Sequence, residues 1–286
     1  MGSKNMSALM RPVDWHYPTN RAIILIALGV FVSGTAFQVF QGTAFLTSAG
    51  WGLSAGLAVF LAWALTRELD PDHDLAAFVA AVLTLAGIVI WGLNSSLLLM
   101  LWLIEAVRVL NRSVGLPVQL FDSLLLLGLG GWMVWQGYPE VGALTAVVFF
   151  VDDRLNSHSR QAKVMVWLSL LLSLGLTLLR PSERLELGTG LPLAMIAGLV
   201  VSGALFTWVI GGSHTPRAVC DVGGSRLHGA CVQAGQILGL VTAVVFVARY
   251  GQTGFDLALP LWAALLGAGL FRLGRTVFGS FVDGGA

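Results

Sequence analysis

The run 191-LPLAMIAGLVVSGALFTWVI-210 contains no charged residue and is long enough to cross a lipid bilayer as a helix. About 20 apolar residues in helical form cover the ~30 Å hydrocarbon core. The run 22-AIILIALGVFVSGTAFQVF-40 has the same character. Neither run alternates apolar and polar residues as a barrel strand does, so both predict membrane-spanning helices.

Composition extends this prediction to the whole chain. Of 286 residues, 56% are hydrophobic and 11% are charged, whereas soluble domains carry about 25% charged residues. The mean hydropathy is +0.82. We therefore predict an all-α integral membrane protein with about ten transmembrane helices, or about nine if the short sixth segment does not cross. The candidate spans are residues 22–46, 48–65, 75–93, 95–110, 118–136, 140–152, 164–179, 191–211, 230–248 and 257–279.

These spans form one predicted transmembrane domain, residues 22–279, between short tails at residues 1–21 and 280–286. If the N-terminus is cytoplasmic, all of the 16 lysines and arginines except Arg180, Arg184 and Arg249 fall on the inner face. The positive-inside rule therefore predicts cytoplasmic termini. We expect the membrane to be the cytoplasmic membrane of a bacterium or archaeon. Most acids and all five histidines share that side. Either the inner loops are simply longer, or the inner face carries the chemistry.

Two predicted inner loops resemble each other: 67-RELDPDHD-74 after the second span and 152-DDRLNSHSRQ-161 after the sixth. If the likeness is not chance, it predicts a parallel four-helix internal repeat, a known way of building membrane folds. Carboxylates in both loops are the hard oxygen ligands that Mg²⁺ prefers, and Mg²⁺ commonly bridges protein acids to phosphates. The candidate metal ligands are Glu68, Asp70, Asp72, Asp74, Asp152 and Asp153.

Basic residues near these loops could bind the phosphate oxygens that a metal leaves uncovered. The candidate substrate ligands are Arg67, Arg108, Arg154 and Lys163, with Arg112 as a candidate catalytic residue. For the first loop the alternative interpretation is structural. Pro71 and the acids would then only cap the start of the third helix, near its positive dipole end.

Two acids lie inside apolar segments, where an ionisable group costs about 2.5–3.5 kcal/mol at mid-membrane. Glu105 has Arg108 three residues later on the same helical face, so an ion pair could explain it fully. Asp122 has no such neighbour in its own helix. We therefore name Asp122 a candidate catalytic residue.

The segment 111-NRSVGLPVQ-119, between the fourth and fifth spans, resembles the connection found there in the UbiA-type intramembrane prenyltransferase superfamily. The resemblance implies about nine spans in parallel four-span repeats. It also implies acidic Mg²⁺-diphosphate motifs after spans two and six, an allyl-diphosphate site, and an isoprenoid tail between helices. The Asn-Asp that opens the family's first motif does not precede Asp70, and Asn156 and His158 stand where the second motif has acids.

A separate group of metal-ligating residue types lies between the eighth and ninth spans. His214, Cys220, His228 and Cys231 carry the ligand atoms of a tetrahedral Zn²⁺ site, although their spacing is not standard. The alternative is that these are free thiols and ordinary loop histidines. A disulfide is not expected on a reducing cytoplasmic face.

The sequence argues against three cofactors. Haem is not expected, because no histidine lies mid-span to ligate it. Retinal is not expected, because lysine occurs only at positions 4 and 163, outside the helix centres where retinal would attach. A nucleotide is not expected, because the sequence has no nucleotide-binding motif. The glycines at 235 and 239 form a G-x-x-x-G that predicts close helix packing.

Three functions remain. The first is a Mg²⁺-dependent transferase acting on an isoprenoid or lipid phosphate at the cytoplasmic face, with membrane lipid as its partner and no nucleic acid. The second is a transporter of a small solute, with a path lined by polar residues at the bilayer midplane. That path would use Gln38, Gln41, Glu105, Asp122, Gln233 and Gln236. The third is a non-catalytic membrane protein that partners others.

Overall fold

The computed structural model of the protein describes residues 15–156, 160–179, 190–222 and 224–283, with side chains up to residue 278. Ten α-helices run through these residues. They are α1 (Pro18–Phe40), α2 (Phe45–Leu69), α3 (Asp74–Trp91), α4 (Leu97–Asn111), α5 (Leu120–Trp135), α6 (Pro139–Leu155), α7 (Arg160–Leu179), α8 (Leu193–Gly212), α9 (Gly229–Leu257) and α10 (Leu259–Asp283). Each predicted span corresponds to one helix, including the sixth.

Seven of these helices have the length and apolar character needed to cross a membrane, counted over the described residues. The chain is therefore a helical membrane protein, as predicted. The other three, α4, α5 and α6, contain 15, 16 and 17 residues. α4 lies at the centre of the bundle, where Trp102 and Leu103 are fully buried. A helix that is surrounded by other helices rather than by lipid can be shorter than the usual ~20 residues, because its ends need not reach the surfaces of the bilayer.

The predicted boundaries differ most from the structure at the ends of α1 and α9, in each case near a glycine. α1 ends at Phe40 rather than at residue 46, because Gly42 adopts φ +88° in the turn that leads into α2. α9 extends to Leu257, but its regular helical part ends before Gly251, close to the predicted end at residue 248. It passes through a kink at Gly251, where φ is +55° and ψ is −127°, a backbone conformation that essentially only glycine adopts.

The core is built around α4, which packs against α2, α5, α6 and α9. Trp102 of α4 donates a hydrogen bond from its Nε1 to Thr145 Oγ1 of α6 at 3.0 Å. α10 packs against α2, α3, α8 and α9 and closes the other side of the bundle. α1 packs mainly against α2 and leaves most of its surface toward lipid.

One end of the bundle carries most of the polar contacts between helices, and we call it the polar end. There α2, α4, α6, α8 and α10 end, and α1, α3, α5, α7 and α9 begin. Contacts that join these helix ends are Asn20–Arg67, Arg112–Asp152, Ser123–Gln161, Ser213–Gln236 and His73–Arg275. The predicted inner loops thus lie together.

The segment between α4 and α5 pairs with the segment between α8 and α9. Asp221 and Val222 donate backbone hydrogen bonds to the carbonyls of Ser113 and Val114 at 3.1 and 3.0 Å. Gly115 adopts φ +82°, and a Cβ there would collide with the Val222 carbonyl. The glycine of 111-NRSVGLPVQ-119 is therefore required by this close approach.

Parts of the predicted organisation lie outside the described residues. They include residues 1–14 of the N-terminal tail, residues 284–286 of the C-terminal tail, His158, and the outer residues Arg180 and Arg184. The predicted four-helix repeat stays a prediction.

Candidate functional site

Glu68, a predicted metal ligand, is 2% exposed at the end of α2. Its Oε1 accepts a hydrogen bond from Arg108 Nε of α4 at 2.9 Å. Arg108 NH1 also lies 3.7 Å from Glu105 Oε1, one helical turn away. The Asn111 side chain donates to the Glu68 backbone carbonyl at 2.8 Å. Glu68 and Arg108 therefore neutralise each other. Glu105 has the expected contact with Arg108, but it shares that guanidinium with the closer Glu68.

Arg112, a predicted catalytic residue, ends α4 in a left-handed conformation with φ +50°. Its NH2 donates to Asp152 Oδ1 of α6 at 2.9 Å. Asn156 Nδ2 donates to the same oxygen at 2.9 Å and to the Leu110 carbonyl at 3.1 Å. The Cys231 thiol of α9 donates to Asn156 Oδ1 at 3.2 Å. These bonds lock the ends of α4 and α6 and the start of α9 together.

The two acidic loops meet through α4. Asn111 contacts the end of α2 and the next residue, Arg112, contacts the end of α6. Gln236 of α9 adds a second link to α2, because its Nε2 donates to the Leu69 carbonyl at 2.7 Å. The loops after the second and sixth helices are thus joined by protein side chains, and Glu68, Glu105 and Asp152 each face an arginine of α4 or its C-terminal end.

Asp70 and Asp72 lie in the turn between α2 and α3. Asp70 Oδ1 lies 2.9 Å from His73 Nδ1, and the other ring nitrogen of His73 contacts Arg275 NH1 of α10. A guanidinium can only donate hydrogen bonds, so His73 Nε2 accepts and Nδ1 carries the proton donated to Asp70. Asp72 accepts from the backbone N–H groups of Arg217 and Ala218 at 2.9 and 2.8 Å.

Arg67 and Asp74 flank the same turn. Arg67 Nε lies 3.2 Å from Asp74 Oδ1, and its NH1 donates to Asn20 Oδ1 of α1 at 3.1 Å. The Arg67 guanidinium also lies 5.0 Å from the centroid of the Trp63 ring. Asp74 opens α3, where a carboxylate favours the positive end of the helix dipole. Of the capping interpretation, the structure therefore shows only the favourable dipole position of Asp74, since no side chain caps α3 through a hydrogen bond.

The remaining residues of the second loop are dispersed. Asp153 is buried, and its Oδ1 has no hydrogen-bond partner among the described residues. Arg154 is exposed, with its guanidinium 5.1 Å from the centroid of the Phe150 ring. Lys163 is exposed on α7. Arg154 and Lys163 do not line any of five cavities formed by the described residues, including the one next to Glu68 and Arg108.

Asp122, the other predicted catalytic residue, is fully buried in the first turn of α5. Its Oδ2 accepts a hydrogen bond from the Gln119 backbone N–H at 2.9 Å. The Gln119 side chain bonds the Asp122 backbone in return, which completes a capping box. This contact gives Asp122 a structural role at the start of the helix.

The predicted zinc ligands do not converge. Cys220 and Cys231 are free thiols, and Cys231 Sγ lies 3.9 Å from His228 Nδ1. His214 instead lies beside Gln233, 3.1 Å from its Nε2. Within the part of the chain that the structure describes, no three His, Cys, Asp or Glu side chains are grouped to hold a metal ion.

The residues named for a transport path are also separated. Gln38 and Gln41 lie at the end of α1 away from the polar end. Gln236 is buried, with its Nε2 bonded to the Leu69 carbonyl and to Ser213 Oγ. Asp122 lies in its capping box and Glu105 beside Arg108. No cavity lined by described residues brings these six side chains together.

A cavity of about 300 Å³ opens at the polar end between the α2–α3 turn, the end of α8, the start of α9 and the end of α10, and we call it the polar cavity. Acidic and basic groups face each other across it. Its lining includes Asp70, Asp72, His73, Gly212, Ser213, Arg272, Arg275 and Thr276. It is the one cavity of those described that combines predicted metal ligands with two arginines and a histidine.

Arg272 is held at the wall of this cavity by three contacts. Its NH1 donates to the Val209 carbonyl at 2.9 Å, and its guanidinium lies 5.1 Å from the centroid of the Trp208 ring. The guanidinium also packs directly on Gly212, so closely that any Cβ at that position would collide with it. A fixed guanidinium loses less conformational freedom when it binds an anion.

The sequence-based prediction missed Arg272 and Arg275. Both were recognised only as inner basic residues, because no acidic loop lies near them in the sequence. The spacing of Arg272 and Arg275 could have indicated a common site, since residues three apart share one face of a helix.

Compared with protein-family models, curated proteins and solved structures, the chain matches none of them.

Proposed function

We propose that the protein is a transferase that binds an isoprenoid or lipid phosphate at its polar end. The observation that carries this proposal is the polar cavity, where Arg272 and Arg275 face Asp70 and His73 within about 300 Å³. Arginine matches phosphate geometry with two parallel hydrogen bonds. The cavity opens at the end of membrane-embedded helices, where the charged group of a lipid resides.

In this proposal Arg272 and Arg275, rather than a metal ion, supply the positive charge that binds the phosphate. Asp72 already accepts two backbone N–H groups, and Asp70 bonds His73. The two carboxylates are therefore better explained by these structural contacts, with the backbone and with His73, than by a shared metal site. Magnesium dependence stays a prediction, which binding assays with Mg²⁺ and with EDTA test directly.

His73 is the proton acceptor of the proposed reaction. A phosphate that engages Arg275 draws its guanidinium away from His73 Nε2. An acceptor hydroxyl then gives its proton to that nitrogen as its oxygen bonds the carbon of the prenyl or lipid group. The carbon–oxygen bond to the phosphate breaks, and the phosphate leaves with the electron pair, stabilised by Arg272 and Arg275. Asp70 holds the imidazole in the tautomer that this step needs.

Replacing Gly212 by alanine tests the proposal. The added methyl group would displace the Arg272 guanidinium from its place against Gly212. We expect farnesyl diphosphate and dioleoyl phosphatidic acid to bind the purified Gly212→Ala variant about tenfold more weakly than the parent protein, a loss of about 1.4 kcal/mol. Equilibrium binding of radiolabelled ligand in detergent micelles measures this.

Gly211→Ala is the matched control, because a Cβ at Gly211 meets nothing within 4 Å. This variant should bind like the parent protein, whereas Arg275→Gln should weaken binding as Gly212→Ala does. Failure of both phosphates to bind the parent protein would overturn the proposal. Equal affinities of the Gly212→Ala and Gly211→Ala variants would do the same.

We infer further that the polar end faces the cytoplasm and that all ten helices cross the membrane. The basic residues of the inner loops support this orientation. Green fluorescent protein fused after Asp283 should therefore fluoresce, and periplasmic alkaline phosphatase fused there should be inactive. Fusions within residues 136–138, between α5 and α6, should show the reverse pattern. The same pattern at both positions would contradict the topology.

A further inference from the structure

A second cavity opens on the flank of the bundle near the polar end, between α1, α2 and α4, and we call it the side cleft. Its volume is about 210 Å³. Residues that define it include Asn20, Trp63, Arg67, Leu101, Glu105 and Arg108. Leu101 is exposed on a helix that is otherwise largely buried. The side cleft is therefore a place where surrounding lipid reaches α4.

The side cleft changes from charged to apolar with distance from the polar end. On α4, which ends at Asn111, Arg108 lies ~4.5 Å, Glu105 ~9 Å and Leu101 ~15 Å from that end. On α2, which ends at Leu69, Arg67 lies ~3 Å and Phe60 ~14 Å from the end. One leaflet contributes about half of the ~30 Å hydrocarbon core. The cleft therefore has the depth and the polarity gradient of one phospholipid in the adjacent leaflet.

Carboxylates outnumber guanidinium groups at the charged part of the side cleft. Glu68 and Glu105 share Arg108, with oxygen–nitrogen distances of 2.9 and 3.7 Å. The second guanidinium, that of Arg67, pairs with Asp74 at 3.2 Å. Three carboxylates thus meet two guanidinium groups. A ligand that brings a positive charge would complete this arrangement, and a purely anionic ligand would not.

Two polar atoms of residues that line the side cleft have no hydrogen-bond partner among the described residues. They are Glu105 Oε2 and Trp63 Nε1, and the Trp63 side chain is only 4% exposed. A carboxylate oxygen accepts hydrogen bonds, whereas the indole N–H only donates. Buried polar groups are nearly always paired with protein, water or a ligand. A ligand that offers both an N–H donor and an oxygen acceptor would pair both atoms.

We propose that the side cleft binds phosphatidylethanolamine from the leaflet at the polar end. Its ammonium donates to Glu105, and its phosphate accepts from Trp63 Nε1 and from Arg67. The bonds of Arg67 described above use its Nε and NH1, two of its three nitrogens. An acyl chain lies along Phe60 and Leu101. The side cleft shares no lining residue with the polar cavity, so this assignment does not depend on the proposed function.

Headgroup chemistry is the direct test. Radiolabelled dioleoyl phosphatidylethanolamine is bound to the purified protein in detergent micelles and displaced by unlabelled dioleoyl phosphatidylethanolamine, phosphatidylcholine or phosphatidylglycerol. Phosphatidylcholine keeps the positive charge but has no N–H to donate, and phosphatidylglycerol has no positive charge. We expect phosphatidylethanolamine to compete about tenfold better than either of the others.

Two substitutions separate the contacts of the headgroup. Glu105→Gln should lower the affinity for phosphatidylethanolamine to that for phosphatidylcholine, and leave the other two lipids unchanged. Arg67→Gln should weaken all three lipids alike, because all three carry the phosphate. Glu140→Gln is the matched control and should change none of them. Glu140 is a partly buried acid at the opposite end of the bundle, and its Oε2 accepts a hydrogen bond from the Tyr250 hydroxyl at 3.1 Å.

Gly212→Ala distinguishes the side cleft from the polar cavity. This variant disturbs Arg272 and should keep the full preference for phosphatidylethanolamine. Loss of that preference in Gly212→Ala but not in Glu105→Gln would place the lipid in the polar cavity and overturn the assignment. Equal competition by the three lipids, or tighter binding of phosphatidylglycerol, would overturn it too. Failure of farnesyl diphosphate to bind would remove the proposed function and leave the side cleft standing.

Discussion

Replacing Arg108 by alanine should lower the free energy of unfolding by about 3–5 kcal/mol, because it removes the basic partner of a buried carboxylate. Arg108 Nε donates to Glu68 Oε1 at 2.9 Å, and the Glu68 side chain is 2% exposed. Arg108 also lies beside Glu105. Its loss therefore leaves two acids close together in a low-dielectric part of the bundle, where like charges repel strongly.

Unfolding of the purified protein in mixed micelles with increasing dodecyl sulfate measures this loss. Arg154→Ala is the control, because Arg154 is exposed and its guanidinium lies over the Phe150 ring. It should change stability by less than about 1 kcal/mol. The double variant Glu68→Gln with Arg108→Met removes both charges and should recover much of the lost stability. An Arg108→Ala protein as stable as Arg154→Ala would refute the assignment of this pair.

Gly235→Ala should cost about 3 kcal/mol of stability, since it overfills the contact between α4 and α9. A Cβ at Gly235 would lie 2.7 Å from Asn111 Oδ1 and 3.1 Å from Val107 Cγ1. The Asn111 side chain cannot move freely to make room, because its Nδ2 donates a hydrogen bond to the Glu68 backbone carbonyl at 2.8 Å. The substitution therefore either crowds the two helices or breaks a buried hydrogen bond.

Gly239→Ala provides the comparison within the same G-x-x-x-G motif. A Cβ there would lie 3.4 Å from Leu69 Cδ2, an ordinary packing distance. This variant should be as stable as the parent protein or slightly more stable, because alanine favours the helix. Thermal unfolding followed by light scattering in detergent ranks the three proteins. Equal melting temperatures for the two variants would show that the α4–α9 contact can relax.

The sequence predicts the helices of this protein well because their signal is strong. Long apolar runs leave little alternative to a helix in lipid, so each of the ten predicted segments corresponds to one helix. Errors arise where glycine sets the boundary. Gly42 ends α1 early, and Gly251 interrupts the helical backbone of α9 before a further short segment runs to Leu257. The sequence alone does not show whether a given glycine will end a helix or kink it.

The candidate site is harder to predict because its charges pair across long sequence separations. Sequence spacing identifies Glu105 and Arg108 as neighbours, yet the stronger partner of Arg108 is Glu68. The pairing of Arg112 with Asp152 is equally distant in the chain. The acidic loops favour a metal-binding interpretation in the sequence, because only the fold shows that Arg108 and Arg112 pair with their carboxylates. The polar cavity was missed for the same reason, since α10 supplies its basic wall.

The junction between α9 and α10 bears on how the protein enters its membrane. A single residue, Ala258, separates the two helices, and the kink at Gly251 lies just before it. Because the regular part of α9 ends before Gly251, only residues 251–258 connect it to α10. We expect so short a connection to favour insertion of α9 and α10 as one hairpin, which would bring Arg272 and Arg275 into place together with Cys231 and Gln236.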